Sequence, residues 1–168
     1  MGNDINNLSG SNAAIKIKEL ADSARICIMM TDLDKRPISA RPMAIQKTDD
    51  QGRIYFFSEK NSLKNEELRH SQEMQLTLSN EKNSEYLNVF GHADVYRDQE
   101  EIDEMYSAFV NTWFDGKKDP NITIIRFTPE AGHYWDTKHG KLIQLAGMLV
   151  GAVTGKQTDD GIEGRVKL

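Results

Sequence analysis

Five polar side chains crowd one short stretch of this sequence. In "FFSEKNSLKNEEL", Phe56 to Leu68, two aromatics close an apolar run, and Ser58, Lys60, Asn61, Ser62 and Lys64 follow before a Glu-rich segment. The pattern predicts a strand ending near Phe57 and a short helix over Ser62 to His70. The first amides of a helix have no partners within it, and its macrodipole places partial positive charge there. A hydroxyl at Ser58, another at Ser62 and the Lys64 ammonium in the first turn would complete a site for a phosphate group. The plainer reading is that Ser62 caps the helix and the lysines stand in water. The residues alone leave both open.

Other chemistry-bearing residues point to less. Cys27 is the single cysteine and lies in the apolar run "RICIMM", which suits a buried structural thiol and excludes an internal disulfide. His70, His92, His133 and His139 are too scattered for a metal signature. Trp113 ends an apolar stripe and is expected in the core. No Gly-x-Ser-x-Gly, Walker loop or Gly-x-Gly-x-x-Gly occurs. No residue declares itself a general acid or base, so the catalytic residues stay unassigned.

The elements that must position the corner are those of an ordinary globular chain. It has 168 residues, 38% hydrophobic and 28% charged, with a formal net charge of −5 and a sequence pI near 5.4. An acidic chain of this kind is not built to coat a nucleic-acid backbone. "MGNDINNLSGSN" lacks the basic start and apolar core of a signal peptide. The longest apolar stretch, Leu142 to Val153, is read as a helix too short to span a membrane, which takes about 20 residues. A cytoplasmic location without membrane contact is expected.

Residues 1–12 read as a flexible segment ahead of a single domain over 13–168. A helix is expected from Ala13 to Ala21 and a buried strand from Arg25 to Thr31. Ile38 to Lys47 and Arg53 to Phe57 read as a hairpin around "TDDQG". Met74, Leu76 and Leu78 alternate as in a strand, and Tyr86 to Tyr96 forms another. Asp98 and Glu101 have capping-box spacing, and Ile102, Met105, Tyr106, Phe109 and Trp113 share a helical stripe behind them. Ile122 to Phe127 reads as a strand buried on both faces, with "GHYWD" continuing it. The order, about six strands in a meander with a few helices, favours an α+β chain whose antiparallel sheet closes into a small barrel.

Four segments in fixed order carry a resemblance: "SARPMAIQ" (Ser39 to Gln46), "IYFFSEKNSLKNEEL" (Ile54 to Leu68), "VFGHADVYRD" (Val89 to Asp98) and "GHYWD" (Gly132 to Asp136). From about Ile15 onward the chain resembles the pyridoxamine 5′-phosphate oxidase-like superfamily, and most closely its bacterial general stress protein 26 group. The resemblance implies a six-stranded antiparallel split β-barrel that binds FMN and works as a homodimer, with flavin at the subunit interface. It places Arg41, Pro42 and Met43 beside the isoalloxazine ring, and Phe57, Ser58, Ser62 and Lys64 around the ribityl phosphate. Trp135 would lie near the flavin or its dimer partner. Leu63 stands where the oxidases carry a second basic residue, with Lys60 a substitute for it. The Arg-x-His element that holds the oxidases' substrate is missing, which argues against pyridoxamine phosphate oxidation. The implied function is a flavin-dependent oxidoreductase of stress response acting on an unknown small molecule. The alternatives are a non-catalytic flavin carrier or sensor, or a split barrel that binds F420 or haem.

Overall fold

The structure is a computed structural model that describes residues 4–137 and 161–168. The expected helix over Leu142 to Val153 lies outside those residues, as does His139. The described chain runs β1 (Asp4–Ile5), β2 (Leu8–Ser9), α1 (Gly10–Ala24), β3 (Ile26–Thr31), β4 (Ser39–Ala44), β5 (Lys47–Thr48), β6 (Ile54–Glu59), α2 (Leu63–His70), β7 (Glu73–Asn80), β8 (Glu85–Tyr96), α3 (Gln99–Met105), a 3-10 turn (Ala108–Thr112), β9 (Ile122–Thr137) and β10 (Gly161–Lys167). It is an α+β chain with one ten-stranded sheet. No helix among the described residues is long and apolar enough to cross a membrane.

The sheet is organised around β9. One edge of this strand pairs with β8 along most of its length. Its other edge pairs with β6 through Ile122–Phe127 and then with β10 through Ala131–Thr137. Beyond β8 the order continues β7, β3, β4. The register of β8 on β9 shifts at Phe90/Gly91. A Cβ on Gly91 would come within 2.1 Å of the Thr128 carbonyl oxygen, so a glycine is required at this crossing.

The barrel does not close. β4 pairs with β3 alone, and β6 pairs with β5 and β9, so β4 and β6 flank the gap. The expected hairpin therefore shrinks to Lys47↔Tyr55 and Thr48↔Ile54, and Ser39–Ala44 pairs with β3 instead. Pro42 in β4 has no N–H for a ladder, and proline is confined to edges of this kind. Around "TDDQG" the Asp49 carboxylate accepts from the amides of Gln51 and Arg53, each at 3.0 Å.

Two further differences follow from packing. Asp4–Ile5 and Leu8–Ser9, within the segment expected to be flexible, pair parallel with β10, and α1 starts at Gly10. The long helix expected behind Asp98 ends at Met105, because Tyr106 turns extended and the 3-10 turn follows. That break sends Val110 inward, 2% exposed, and leaves Phe109 and Trp113 59% and 60% exposed, so Trp113 is not a core residue. Only half of the capping box forms. Asp98 accepts from the Glu101 amide at 2.9 Å, while the Glu101 carboxylate takes the Tyr96 hydroxyl at 2.6 Å.

Apolar side chains gather on both faces of β6 and β9. Ile54, Phe56, Ile125 and Phe127 join α1, β3, β7 and β8 in the main core. Tyr55, Phe57, Ile122 and Ile124 meet Ile102 and Val110 in a smaller one. Cys27 lies in the main core, where burial pushes its thiol up to about 12.

Candidate functional site

The gap between β4 and β6 opens into a cleft of about 310 Å³. β4 supplies Pro42, Met43 and Ala44, with Gln46 beyond its end; β6 supplies Phe57, Ser58 and Glu59. Lys64 enters from the first turn of α2, and Val110, Trp113 and Phe114 come from the 3-10 turn and the two residues beyond it. Backbone, apolar walls and a cationic end therefore meet where the sheet is interrupted.

The polar corner is built from two interlocked layers. In the lower layer Asn65 is fully buried and fastens α2 to the sheet. It accepts from Ser58 Oγ at 2.7 Å and donates to Thr123 Oγ1 at 2.9 Å and to the Glu59 carbonyl at 3.1 Å. Above it, Ser62 sits at the N-cap position, but its hydroxyl lies 3.0 Å from Ser58 Oγ and makes no side-chain cap. Plain capping thus does not explain Ser62. The backbone amides of Asn65 and Glu66 both reach the Ser62 carbonyl, while those of Leu63 and Lys64 find no acceptor among the described residues.

Lys64 is half-buried at this helix start. Burial, and then the nearby Arg41 guanidinium, hold its pKa below the ordinary lysine value. Among the described residues its ammonium makes no hydrogen bond and no ion pair. A desolvated cation beside unfilled amides, at a positive helix end, is an arrangement that an anion completes.

One turn further along α2, Glu67 is a buried carboxylate that the sequence did not flag. It accepts from Thr31 Oγ1 at 2.6 Å, from Ser39 Oγ at 2.8 Å and from Arg41 Nη2 at 2.9 Å. Arg41 also donates to the hydroxyls of Thr31 and Ser39. Burial alone would raise the Glu67 pKa, but these hydrogen bonds and the Arg41 charge outweigh it and hold the carboxyl below its ordinary range.

Of the residues expected at a cofactor, Pro42, Met43, Phe57, Ser58 and Lys64 line the one cleft. Ser62 joins through Ser58, while the Arg41 guanidinium turns into the Glu67 network. Trp135 lies elsewhere, on the second half of β9, with its Nε1 donating to Glu163 at 2.7 Å. Sequence reasoning missed Asn65 and Glu67, whose positions in a Glu-rich, outwardly polar helix give no sign that they face inward. It also missed the part played by Trp113.

A sheet interrupted at β4 and β6, with a helix N-terminus and an unpaired cation at the interruption, defines a split-barrel protein with an anion-ready cleft. The family model described as "Pyridoxamine 5'-phosphate oxidase like" matches residues 12–159, and the chain belongs to this family. A curated relative, general stress protein 26 of Bacillus subtilis (strain 168), is 31% identical over 80 residues, which cover 46% of this chain and 57% of that protein. A Jannaschia sp. CCS1 structure carrying the general stress protein 26 name superposes with a TM-score of 0.78 at 22% identity, over 93% of this chain and 98% of that one. A general stress FMN/FAD binding protein from Xanthomonas citri gives 0.62 at 23% identity, over 74% and 87%. At these identities the structural matches speak for the fold.

Proposed function

We propose that this chain binds FMN in the cleft between β4, β6 and α2 and serves as a flavin-dependent oxidoreductase of the stress-response type. The observation that carries the reading is Lys64, a half-buried ammonium at the start of α2 that makes no hydrogen bond or ion pair among the described residues. Lys64, with the free amides of Leu63 and Lys64 and the Ser58–Ser62 hydroxyl pair, would hold the phosphate. Pro42, Met43, Phe57 and Trp113 supply flat or apolar surface for the ring. The FMN/FAD binding of the Xanthomonas citri protein supports the choice of group. Bound there, the flavin would supply hydride and electron transfer, and the protein orientation and charge.

One observation favours a second reading. Among the described residues, Glu59 and Lys64 are the only titratable side chains lining the cleft, so a flavin carrier or sensor without proton chemistry of its own fits as well. The working unit in either reading is a homodimer. Ile26 and Ile28 are 57% and 42% exposed on the outer face of β3, and cross-strand register puts Pro42, Tyr86 and Trp135 on that same face. A second copy seated there would cover these apolar groups and offer Trp135 a route to a flavin.

The test is titration of the apo-protein with FMN and with riboflavin. FMN is expected to bind at least about tenfold more tightly, the value of one charge-assisted contact. Equal affinities would return Lys64 to a mere surface role. Light scattering on the same sample is expected to give twice the chain mass, and a monomer that binds FMN fully would rule out the dimer.

A further inference from the structure

The cofactor cleft continues past its own wall. Ala44 and Gln46 also line a second cleft, about 600 Å³, between the end of α1, the β4–β5 segment and the 3-10 turn. Ala21, Ile26, Ile45, Met105 and Phe109 make most of it apolar. Phe109 lines this cleft and Trp113 the first, and their rings meet edge-on with centroids 4.9 Å apart. Two largely exposed rings thus stand at the junction of the two spaces.

Three charged side chains reach the second cleft, and two of them are occupied. Asp22 is held by Lys18 at 3.1 Å, and Lys47 by Glu104 at 2.8 Å. The third, Arg25, is exposed, and among the described residues its guanidinium makes no hydrogen bond and no ion pair. Its backbone closes α1 in the left-handed region, φ 63°, with its amide donating to the Ala21 carbonyl at 3.0 Å. Glycine or asparagine would fill such a helix end with less strain. A long cationic side chain kept at a strained position, on the edge of a cleft and without a partner, marks a place where local preference yields to a role.

We infer that this second cleft takes a planar aromatic monocarboxylate beside the cofactor, with the Arg25 guanidinium gripping the carboxylate and the Phe109 ring facing the aromatic body. A single planar fork of N–H donors matches one carboxylate in two parallel hydrogen bonds. A phosphate dianion would call for more free donors than the cleft has. Phe109 offers a ring for edge or offset stacking, and Met105 a polarizable thioether. The inference rests on the cofactor reading only in naming the neighbour; the second cleft is made wholly from this chain's own residues.

The experiment is a calorimetric titration of the full chain, with and without FMN, using naphthoate and its neutral analogue naphthamide as probes. Wild type is expected to bind naphthoate about tenfold more tightly than naphthamide. Arg25→Gln keeps a non-glycine residue at the left-handed position and is expected to abolish that preference while leaving FMN binding unchanged. Phe109→Ala is expected to weaken both probes and keep the preference. Equal binding of acid and amide by wild type, or a preference that survives Arg25→Gln, would overturn the assignment. An FMN titration run alongside separates the two readings: loss of FMN binding in wild type sinks the cofactor site, and the acid-to-amide ratio still decides this one.

Discussion

Lys64 and Glu67 stand one turn apart on α2, and the fold treats their charges in opposite ways. The Glu67 carboxylate is closed in on every side: Thr31, Ser39 and Arg41 donate to it, and Arg41 shares the same two hydroxyls. That network ties α2 to β3 and β4. Lys64 is also desolvated, yet its ammonium makes no hydrogen bond or ion pair among the described residues, and the Glu59 charge only partly offsets burial and the Arg41 charge. Glu67 is a structural fastening, whereas Lys64, three residues away, is spared that duty and is the residue on which the proposed phosphate contact rests. The contrast lies within eight residues of helix.

The strongest way to break the comparison is to open the closed network. Arg41→Ala leaves Glu67 buried without its cation, and a broken buried pair costs about 3–5 kcal/mol. Urea melts of the apo-protein are expected to show that loss, and a change below about 1 kcal/mol would mean the network does not hold α2. The same network sets an acid limb. The Glu67 pKa is lowered from 4.5, so its contribution is complete above that value and is lost as pH falls through the lower folded value. Glu67→Gln is expected to flatten that limb.

A smaller and opposite effect is expected at Lys64. Lys64→Ala should leave apo stability within about 0.5 kcal/mol, since it removes a cation that opposes the helix dipole. FMN affinity should fall by about 1.5–3 kcal/mol, one charged contact. Phosphate stabilises the ammonium, so wild-type affinity should be full below the Lys64 pKa and decline as pH rises through it. Because that pKa is lowered from 10.5, the decline begins earlier than for an ordinary lysine. Lys64→Ala should lack this alkaline limb, and unchanged FMN affinity in the variant would remove phosphate from the corner.

The smallest expected effect sharpens the contrast between wall and core. Trp113→Ala should change apo stability by no more than about 0.5 kcal/mol, whereas a core tryptophan would cost about 3–5 kcal/mol. A loss in the upper range would put Trp113 back among the packing residues.

Much of this is legible in the residues themselves. The β6-to-α2 corner shows itself because an apolar run stops at Phe57 and polar groups take over. β7, β8 and the first half of β9 show themselves by alternation or by full burial. What escaped has a common cause. Whether β4 pairs with β3 or β6 is a matter of tertiary pairing, and the two strands flank Ile38 to Lys47 at plausible turn distances. Phe109 and Trp113 keep helical spacing, so only the extended backbone at Tyr106 reveals that the stripe has ended. Asn65 and Glu67 lie among "KNEEL", where composition points to solvent and only the packing of α2 on the sheet turns them inward.

The double duty of β9 also bears on how the chain is made. Until Ile122–Phe127 has left the ribosome, the buried run Ile54, Tyr55, Phe56 and Phe57 has only the two residues of β5 along an edge. This sticky strand must wait, with its other edge unpaired, while the whole stretch from α2 to α3 is synthesised. Non-local pairings of that kind slow folding and leave nascent chains open to association with one another. Recovery of this protein from overexpressing cells should therefore be governed less by the stability of the finished barrel than by what shields β6 before its last partner arrives.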